Sequence, residues 1–314
     1  MIRHLVFSGG GHSIFATWGA LQTMEKAGIY QPPNIKSIFG TSAGGIVGTL
    51  CCLGFDWETI NDYLIHRPWQ DVFTLNVGRI LEAYTQRGLF PFSTFESIFK
   101  PLFLAKDFNL ELTLQELFEF SKIDLHLYSL ELNEFKVHDL SHTTHPDLPV
   151  IKAIQMTCAF PLIFSPHCVN ETKQCFVDGG IFVNYPLTQC LDSKANPEEI
   201  LSFHNAFEKG GKNITQEIVN TESSLIDFIF LLMFKVLQFI STDCKQPHIP
   251  NEVKIVKSQS FSISVLQKVC NSPEVRKELL ELGVMSANKF LQERPQERPQ
   301  ERPQERQQEP PKGS

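Results

Sequence analysis

The spacing of apolar and polar residues changes several times along the first fifty residues. Two short segments rich in apolar residues each lead into glycine, which is typical of buried strands that end in a tight turn. A longer run with apolar residues near helical spacing follows each of them. This β-α-β-α order predicts a parallel sheet covered by helices. The predicted elements are strands over 2–8 and 34–39 and helices over 13–28 and 42–53.

Residues 55–120 follow a mostly helical pattern and contain ten of the 26 phenylalanines of the chain. We predict a helical region there, whose phenylalanines belong chiefly to a hydrophobic core. Farther along, Ser272 and Pro273 are typical of an N-cap and a first helical residue. The elements predicted after residue 120 are a strand or hairpin over 123–138, a helix beginning at Val150, a strand from Gln174 to Val177 and a final helix from Ser272 to Leu291.

The end of the chain has a different composition from the rest. The sequence Glu-Arg-Pro-Gln occurs three times from Glu293 onward and then degenerates. A proline at every fourth position prevents a helix, and no apolar side chain is present to be buried. We therefore predict one folded domain over residues 1–291 and a disordered tail over 292–314.

The overall composition allows one large hydrophobic core and argues against a nucleic-acid partner. Of the 314 residues 42% are hydrophobic, and the formal net charge is −7. A nucleic-acid-binding protein would normally carry a basic face, so we predict no nucleic-acid partner. The eight cysteines are scattered without a C-x-x-C pair, which predicts reduced, intracellular thiols. A cytoplasmic or peripheral membrane location is expected, while a secreted effector or a viral origin remains open.

The most apolar later run, Leu225 to Ile240, is a candidate membrane segment. It contains Asp227 and Lys235 and spans only 16 residues, whereas a bilayer requires about 20. We predict no transmembrane segment. The run is interpreted as a helix packed in the core, with adsorption to a membrane surface as the alternative.

The segment Gly40-Thr41-Ser42-Ala43-Gly44 fits G-x-S-x-G, the pattern of a nucleophile elbow. In such an elbow a strand turns sharply into a helix, and the small residues Gly40 and Gly44 let the two approach. Ser42 would then lie at a helix N-terminus, whose N–H groups favour developing negative charge. The pattern alone is weak, because chance gives roughly one match in ten chains of this length. The apolar strand before it and the helical run after it favour the elbow over a capping serine in a glycine-rich turn.

Gly9, Gly10 and Gly11 follow the first predicted strand as the elbow follows the second. Three consecutive glycines let backbone N–H groups face one point without obstruction by Cβ atoms. An oxyanion hole requires this arrangement, and each donor contributes roughly 3 kcal/mol. A dinucleotide-binding turn is disfavoured, because Ile14 occupies the place of the third glycine in G-x-G-x-x-G and the second strand does not end in an acidic residue.

Asp178, Gly179 and Gly180 form a third glycine-containing motif at the end of a predicted strand. An ordinary aspartate, with a pKa near 3.9, is a poor base for a serine hydroxyl. Burial would raise that pKa and favour direct proton transfer from a serine. Taken alone, Asp-Gly is equally typical of a β-turn.

The three motifs, in this order and spacing, resemble those of the patatin-like phospholipase family. The likeness covers roughly residues 3–190 and includes the segment Ala153 to Pro161 and the pair Asn184 and Pro186. It implies a three-layer α/β/α fold, with a mostly parallel central sheet and a phenylalanine-rich helical region. It further implies hydrolysis by a serine–aspartate dyad through an acyl-enzyme, without cofactor or metal. In this scheme Ser42 is the nucleophile and Asp178 is its only partner, acting as general base and acid.

The resemblance also implies the surroundings of the dyad and the kind of substrate. A phospholipid or another acyl lipid is the expected substrate, and transient contact with a membrane surface is expected. Protein partners cannot be read from the sequence. A few of the phenylalanines would contact acyl chains. The oxyanion hole would consist of the amides of Gly9, Gly10, Gly11 and Ala43, with Gly40, Gly44, Gly179 and Gly180 as supporting residues.

One departure from the family pattern lies in the first glycine run. The family usually continues it with a basic residue and a further glycine, but Ser13 and Ile14 occupy those positions here. His12 is a candidate to replace the basic side chain in part. We expect this change to affect the rate and the head-group preference more than the type of reaction.

Three alternatives compete with this interpretation. A Ser-Asp-His hydrolase would use His204, which follows Asp178 in the order of such triads. A zinc site could use His138, His142 and His145, but their surroundings indicate a polar loop, and we predict no metal. A lipid-binding protein on a decayed hydrolase fold would explain only the changed glycine run.

Overall fold

The structure is a computed structural model, which describes residues 1–207, 247–257 and 262–294, together with single residues and short runs between 219 and 236. Its described part is built on a mixed sheet in which β10, β9, β1, β2 and β4 run parallel in that order, and β5, β8 and β7 run antiparallel to their neighbours. The strands are β1 (His4–Phe7), β2 (Ser37–Thr41), β3 (Gly88–Phe90), β4 (Asp124–Glu131), β5 (Lys136–Leu140), β6 (Leu162–Phe164), β7 (His167–Val169), β8 (Gln174–Asp178), β9 (Ile200–Phe207) and β10 (Glu252–Lys257), of which β3 and β6 form a separate pair.

Helices pack on both faces of this sheet, so the fold has the predicted three α/β/α layers. On one face Leu5, Phe7 and Ile38 belong to the main core, and on the other Val6 and Phe39 pack with residues of α9. The helices are α1 (Ile14–Lys26), α2 (Ala43–Leu53), α3 (Trp57–His66), α4 (Trp69–Val72), α5 (Val77–Gln86), α6 (Phe92–Leu104), α7 (Leu114–Ser121), α8 (Val150–Cys158), α9 (Leu187–Asp192), α10 (Ile263–Asn271) and α11 (Pro273–Glu293).

Strand β4 determines how the ends of two other strands meet. Along one edge it pairs with β5, and along the other edge it pairs first with parallel β2 and then with antiparallel β8. The carboxyl ends of β2 and β8 therefore meet head to head, with Thr41 opposite Tyr128 and Asp178 opposite Ser129. The residue that follows Thr41 is thus brought next to Asp178, although 136 positions separate them in sequence.

The last helix, α11, packs closely on α1. A Cβ atom at Gly283 would lie only 1.8 Å from the carbonyl oxygen of Ala16, so only glycine permits this crossing. Arg276 is buried in the same region, and its guanidinium donates hydrogen bonds to the carbonyl oxygens of Ile65 and Val269 at 2.6–2.9 Å and 2.7 Å. These bonds satisfy a buried charge and tie α11 to α3 and α10.

Most predicted elements are present, with boundaries shifted by a few residues. The predicted hairpin is β4–β5, and Ser272 caps α11 by accepting a hydrogen bond from the amide of Val275 at 3.2 Å. The second strand begins three residues later than predicted, because Pro32–Asn34 form a 3-10 turn. Helix α11 ends at Glu293, two residues beyond the predicted 291. The rest of the predicted tail, from residue 295 onward, lies outside the described residues.

Two further expectations differ from the structure or lie partly outside it. Cys168 and Cys175 form a disulfide, which corrects the prediction that all cysteines are reduced. They lie directly opposite each other in the antiparallel β7–β8 pair, and that register cannot be read from their spacing. Most of the Leu225–Ile240 run lies outside the described residues. Of those described, Phe228 and Leu232 are about half exposed, which runs against the packing predicted for it. No helix of the described part is long and apolar enough to cross a membrane.

Candidate active site

Ser42 lies at the sharp turn between β2 and α2. Its backbone has φ 54° and ψ −125°, a conformation that a non-glycine residue rarely adopts. The turn also needs Gly44, since a Cβ atom there would lie 2.3 Å from the carbonyl oxygen of Phe7. This geometry is that of a nucleophile elbow, and it presents the hydroxyl of Ser42 beyond the end of the sheet.

The side chains of Ser42 and Asp178 are in direct contact. The Ser42 hydroxyl donates a hydrogen bond to Oδ2 of Asp178 at 2.7 Å. The other carboxylate oxygen, Oδ1, accepts the amide of Gly180 at 2.6 Å. One oxygen therefore makes the turn expected of Asp-Gly, and the other contacts the serine. The sequence allowed Asp178 to be either a turn residue or the partner of the serine, and in the structure its side chain does both.

The environment of Asp178 changes its acidity. Its side chain is buried, and burial raises the pKa of this carboxyl group to about 6, although the hydrogen bonds from Ser42 and Gly180 oppose the rise. The charged form is disfavoured because water cannot solvate it there. Asp178 is thus a stronger base than an aspartate in water and still largely ionised at neutral pH.

Two residues of α8 contact the serine and were not singled out in the sequence. The amide of Ser42 donates to Oγ1 of Thr157 at 2.9 Å, and Thr157 in turn donates to the carbonyl oxygen of Tyr128. Cys158 is buried beside the dyad, and burial together with the charge of Asp178 raises the pKa of its thiol well above the usual value. Both belong to the segment Ala153 to Pro161, whose resemblance to the family could have indicated from the sequence that they lie near the site.

The first glycine run lies beside the elbow, but its amides are not equivalent. The amide of Gly9 donates to the carbonyl oxygen of Asn184 at 2.8 Å, which corrects its prediction as an oxyanion donor. The carbonyl oxygen of Gly10 accepts hydrogen bonds from the backbone amide and the hydroxyl of Ser13. Gly11 and Ala43 each begin a helical turn, where amides have no partner within the helix. Their amides and that of Gly10 stay the predicted donors to a developing oxyanion.

Asn205 on β9 holds the glycine run in place. Its amide donates to the Ser8 hydroxyl at 2.7 Å, and its side-chain nitrogen reaches the carbonyl oxygens of Ser8 and Gly9 at 3.3 and 3.4 Å. Ser13, which stands where the family has a basic residue, is buried and bonds back to the run. His12 is also buried and lines the adjoining cavity, so it is placed to contact a substrate near the glycine run.

An apolar cavity of about 250 Å³ opens onto the dyad. Ser42, Asp178 and the glycine run form its polar end, and the remaining wall is largely aromatic and aliphatic. Phe95 and Phe99 of the phenylalanine-rich region line this wall and are also buried in the main core. Phe103 is equally buried but does not line the cavity. Trp69, Phe73, Phe160 and Phe164 line it as well.

His204 does not belong to this constellation. Its Nδ1 lies 3.2 Å from the carboxylate of Glu252, and its ring stacks on Tyr185 at 4.3 Å between centroids. β9, which carries His204, is separated from β2 by β1, and two strand spacings amount to about 10 Å. Within the described ranges no contact joins His204 to either member of the Ser42–Asp178 pair.

The three loop histidines do not converge on one point. His142 stacks on Phe118 at 3.8 Å and lies 2.9 Å from a carboxylate oxygen of Asp124. His138 instead lies near His145, with 6.2 Å between ring centroids. In the part of the chain that the structure describes, no group of three histidine, cysteine or acidic side chains is arranged to hold a metal ion.

Comparisons with known proteins match this chain to one protein family and to two viral proteins. The sequence profile of a family described as patatin-like phospholipase matches residues 5–191. The chain is 24% identical over 224 residues to a protein named probable lipid hydrolase 463L of invertebrate iridescent virus 6, covering 68% of this chain and 73% of the viral protein. It is 25% identical over 294 residues to protein R571 of Acanthamoeba polyphaga mimivirus, covering 90% and 95%.

A solved structure shares the fold. The crystal structure of VipD from Legionella pneumophila superposes with a TM-score of 0.51 and 15% sequence identity, and the match covers 93% of this chain and 67% of VipD. The profile match spans all three glycine-containing motifs, from Gly9 to Gly180.

Proposed function

This chain belongs to the patatin-like phospholipase family, and we propose that it is a lipid acyl hydrolase of the phospholipase A type. In this proposal it cleaves carboxylic esters with Ser42 and Asp178 and without a histidine. The observation that carries the proposal is the 2.7 Å hydrogen bond between these side chains at the polar end of an apolar cavity. The name of the related viral protein, a probable lipid hydrolase, supports a lipid substrate.

Acylation begins when the acyl chain of the lipid occupies the cavity and its ester carbonyl lies beside Ser42. Asp178 takes the hydroxyl proton as the serine oxygen bonds to the carbonyl carbon. The carbonyl oxygen becomes an oxyanion, which the predicted donors, the amides of Gly10, Gly11 and Ala43, stabilise. The intermediate then collapses, the bond to the alcohol breaks, and Asp178 returns its proton to the leaving oxygen.

Deacylation repeats these steps with water in place of the serine. Asp178 removes a proton from a water molecule, whose oxygen bonds to the acyl carbon. Collapse of the second intermediate breaks the bond to Ser42, and the serine oxygen regains a proton from Asp178. The fatty acid leaves, and the enzyme returns to its initial state. A single carboxyl group serves in both directions because its pKa lies near the working pH.

Fatty-acid release measured against pH tests the proposal. We expect release from phosphatidylcholine vesicles, and kcat/KM should follow the ionised fraction of Asp178. Because burial raises the pKa of this carboxyl group to about 6, kcat/KM should increase about tenfold between pH 5 and pH 7 and then level off. If the protein binds lipid but releases no fatty acid from any of a panel of phospholipids and neutral lipids, it is a lipid-binding protein and the proposal fails.

Replacement of His204 distinguishes the dyad from a triad. The His204→Gln variant should retain kcat/KM within about threefold, because the ring contacts Glu252 and Tyr185 rather than the reacting groups. Hydrolysis of phosphatidylcholine by the variant and the wild type would be compared at pH 7. A loss of a thousandfold or more, with an unchanged melting temperature, would favour a Ser-Asp-His hydrolase.

A further inference from the structure

Helix α5 turns its apolar side chains toward solvent. Val77, Ile80, Leu81 and Tyr84 share one face, at spacings of three and four residues, and their exposed fractions are 74%, 53%, 72% and 91%. Arg79 and Ala83 are the two partly buried residues of the helix, and Ala83 packs against the core. The large apolar side chains therefore lie on the exposed side, unlike those of a usual globular-protein helix. A contiguous exposed apolar face of this kind marks a binding surface. We call these four residues the docking face.

The docking face lies between two segments of the chain that contact the wall of the cavity. Phe73, just before α5, lines the cavity, and so does Phe164 on β6, which pairs with β3 immediately after α5. The Phe73 ring also contacts Phe90 of β3, with centroids 5.2 Å apart. A partner bound to the docking face is therefore bound to a segment whose two flanks contact the wall of the cavity that is proposed to take the acyl chain.

A positively charged pocket adjoins the same helix. Arg79, from the protein-facing side of α5, lines it together with Arg67, which precedes α4. The Arg67 guanidinium donates to the hydroxyl of Tyr63 and to the carbonyl oxygen of Ser97. Among the described residues, neither arginine has a carboxylate within ion-pair distance, and Asp71 is the pocket's one acidic residue. The pocket thus keeps an excess of positive charge.

The first two turns of α6 complete this pocket. Ser93, Thr94 and Ser97 line it, and the residue at the N-cap is Pro91, so no side chain caps the helix. Thr94 is 3% exposed, and its hydroxyl oxygen has no hydrogen-bond partner in the described part of the chain. A helix N-terminus, an unpartnered buried hydroxyl and two guanidinium groups together suit a phosphate group.

We propose that α5 docks this protein onto the surface of a phospholipid bilayer, with the docking face inserted among the lipids and the pocket of Arg67, Arg79 and Thr94 bound to a headgroup phosphate. An amphipathic helix at such a surface buries its apolar face about 5–10 Å below the headgroups, so groups on the opposite side of the helix lie near phosphate depth. Tyr84 has the apolar body and polar tip that favour this boundary. The choice of a lipid surface as partner rests on the proposed function.

The charge of the chain indicates which force drives the docking. With a formal net charge of −7, the protein as a whole is not attracted to an anionic membrane. Insertion of the docking face and local phosphate binding act equally on a zwitterionic surface. A dimer through this face is disfavoured, because four side chains are far fewer than the roughly 20–30 residues that each partner contributes to a stable interface.

Vesicle binding by protein with Ser42→Ala, which leaves the lipid intact, tests the proposal. The probe is phosphatidylcholine vesicles, with co-sedimentation measured at 0.15 and 0.5 M NaCl. Adding Leu81→Asp should weaken binding by about 10- to 100-fold, and adding Arg79→Gln should weaken it about fivefold. The matched control is Met285→Asp, which places the same charge at an exposed residue of α11 and should change binding by less than about twofold.

Activity provides a second readout that is separate from binding. With Ser42 present, Leu81→Asp should lower hydrolysis of vesicles at least tenfold but leave hydrolysis of soluble p-nitrophenyl butyrate within about twofold. If no ester is cleaved by the wild type, the proposed function fails while the sedimentation result still stands. The docking proposal is wrong if wild-type protein does not bind the vesicles, or if Leu81→Asp binds as well as Met285→Asp. It is equally wrong if light scattering shows a dimer that Leu81→Asp dissociates.

Discussion

Ser42→Ala is expected to lower fatty-acid release from phosphatidylcholine by roughly 10⁴-fold or more. The variant lacks the oxygen that bonds to the acyl carbon, and a water molecule in the elbow would not be held at the same angle to Asp178. The fold should be retained, since the serine hydroxyl bonds only to side chains at the site, Asp178 and Cys158, and the backbone conformation at residue 42 is as strained for alanine as for serine. Fatty acid would be quantified at pH 7 and thermal melting followed in parallel.

Covalent labelling adds an independent check on the nucleophile. A fluorophosphonate probe should label the wild type once, at Ser42, and should not label the Ser42→Ala variant. The control is Ser193→Ala, which removes an exposed serine at the end of α9 and should leave both labelling and hydrolysis unchanged. Hydrolysis by Ser42→Ala above a few per cent of the wild-type rate would show that another group attacks the ester.

Asp178→Asn should abolish hydrolysis to a similar degree, by roughly 10³-fold or more, without loss of stability at neutral pH. The amide still accepts the hydrogen bond from Gly180 but cannot take the proton of Ser42. In the wild type, burial raises the pKa of the carboxyl group from 3.8 to about 6. The folded state therefore binds the proton more tightly than the unfolded state, and the contribution of this group to stability falls as pH rises from about 4 to above 6.

The Asp178→Asn variant has no carboxyl group at this position, so its stability does not fall with rising pH for this reason. At pH 7.5 it should be more stable than the wild type by up to about 3 kcal/mol, and the difference should vanish below about pH 4. Denaturant unfolding at both pH values measures this, with Asp192→Asn at the end of α9 as a control for loss of a carboxylate. An inactive variant that is also less stable at pH 7.5 would instead indicate a structural role for Asp178.

The dyad could be predicted because each half has a local signal. Ser42 lies in a five-residue pattern, and Asp178 precedes two glycines at a strand end. Their meeting has no local signal, since it depends on β2 and β8 sharing one edge of β4. Only the order and spacing of the motifs, compared with those of a known family, placed the two side chains together.

Other features depend on contacts that no local pattern specifies. The amide of Gly9 is occupied by Asn184, a partner 175 positions away, so a run of three glycines predicted one donor too many. The disulfide of Cys168 follows from the register of a short hairpin. The apolar residues of α5 have the spacing of a core helix, and a sequence pattern cannot tell which of its faces is turned inward.

The profile match ends at residue 191, but the structure that supports the active site does not. Asn205, which holds the glycine run, lies on β9, and α11 crosses α1 so closely that Gly283 admits no larger residue. A recombination event that transferred only the matched segment into another protein would carry both reacting side chains but not β9 and α11, which support them. The portion that supports the site therefore extends at least to Gly283 in α11, about a hundred residues past the final recognisable motif.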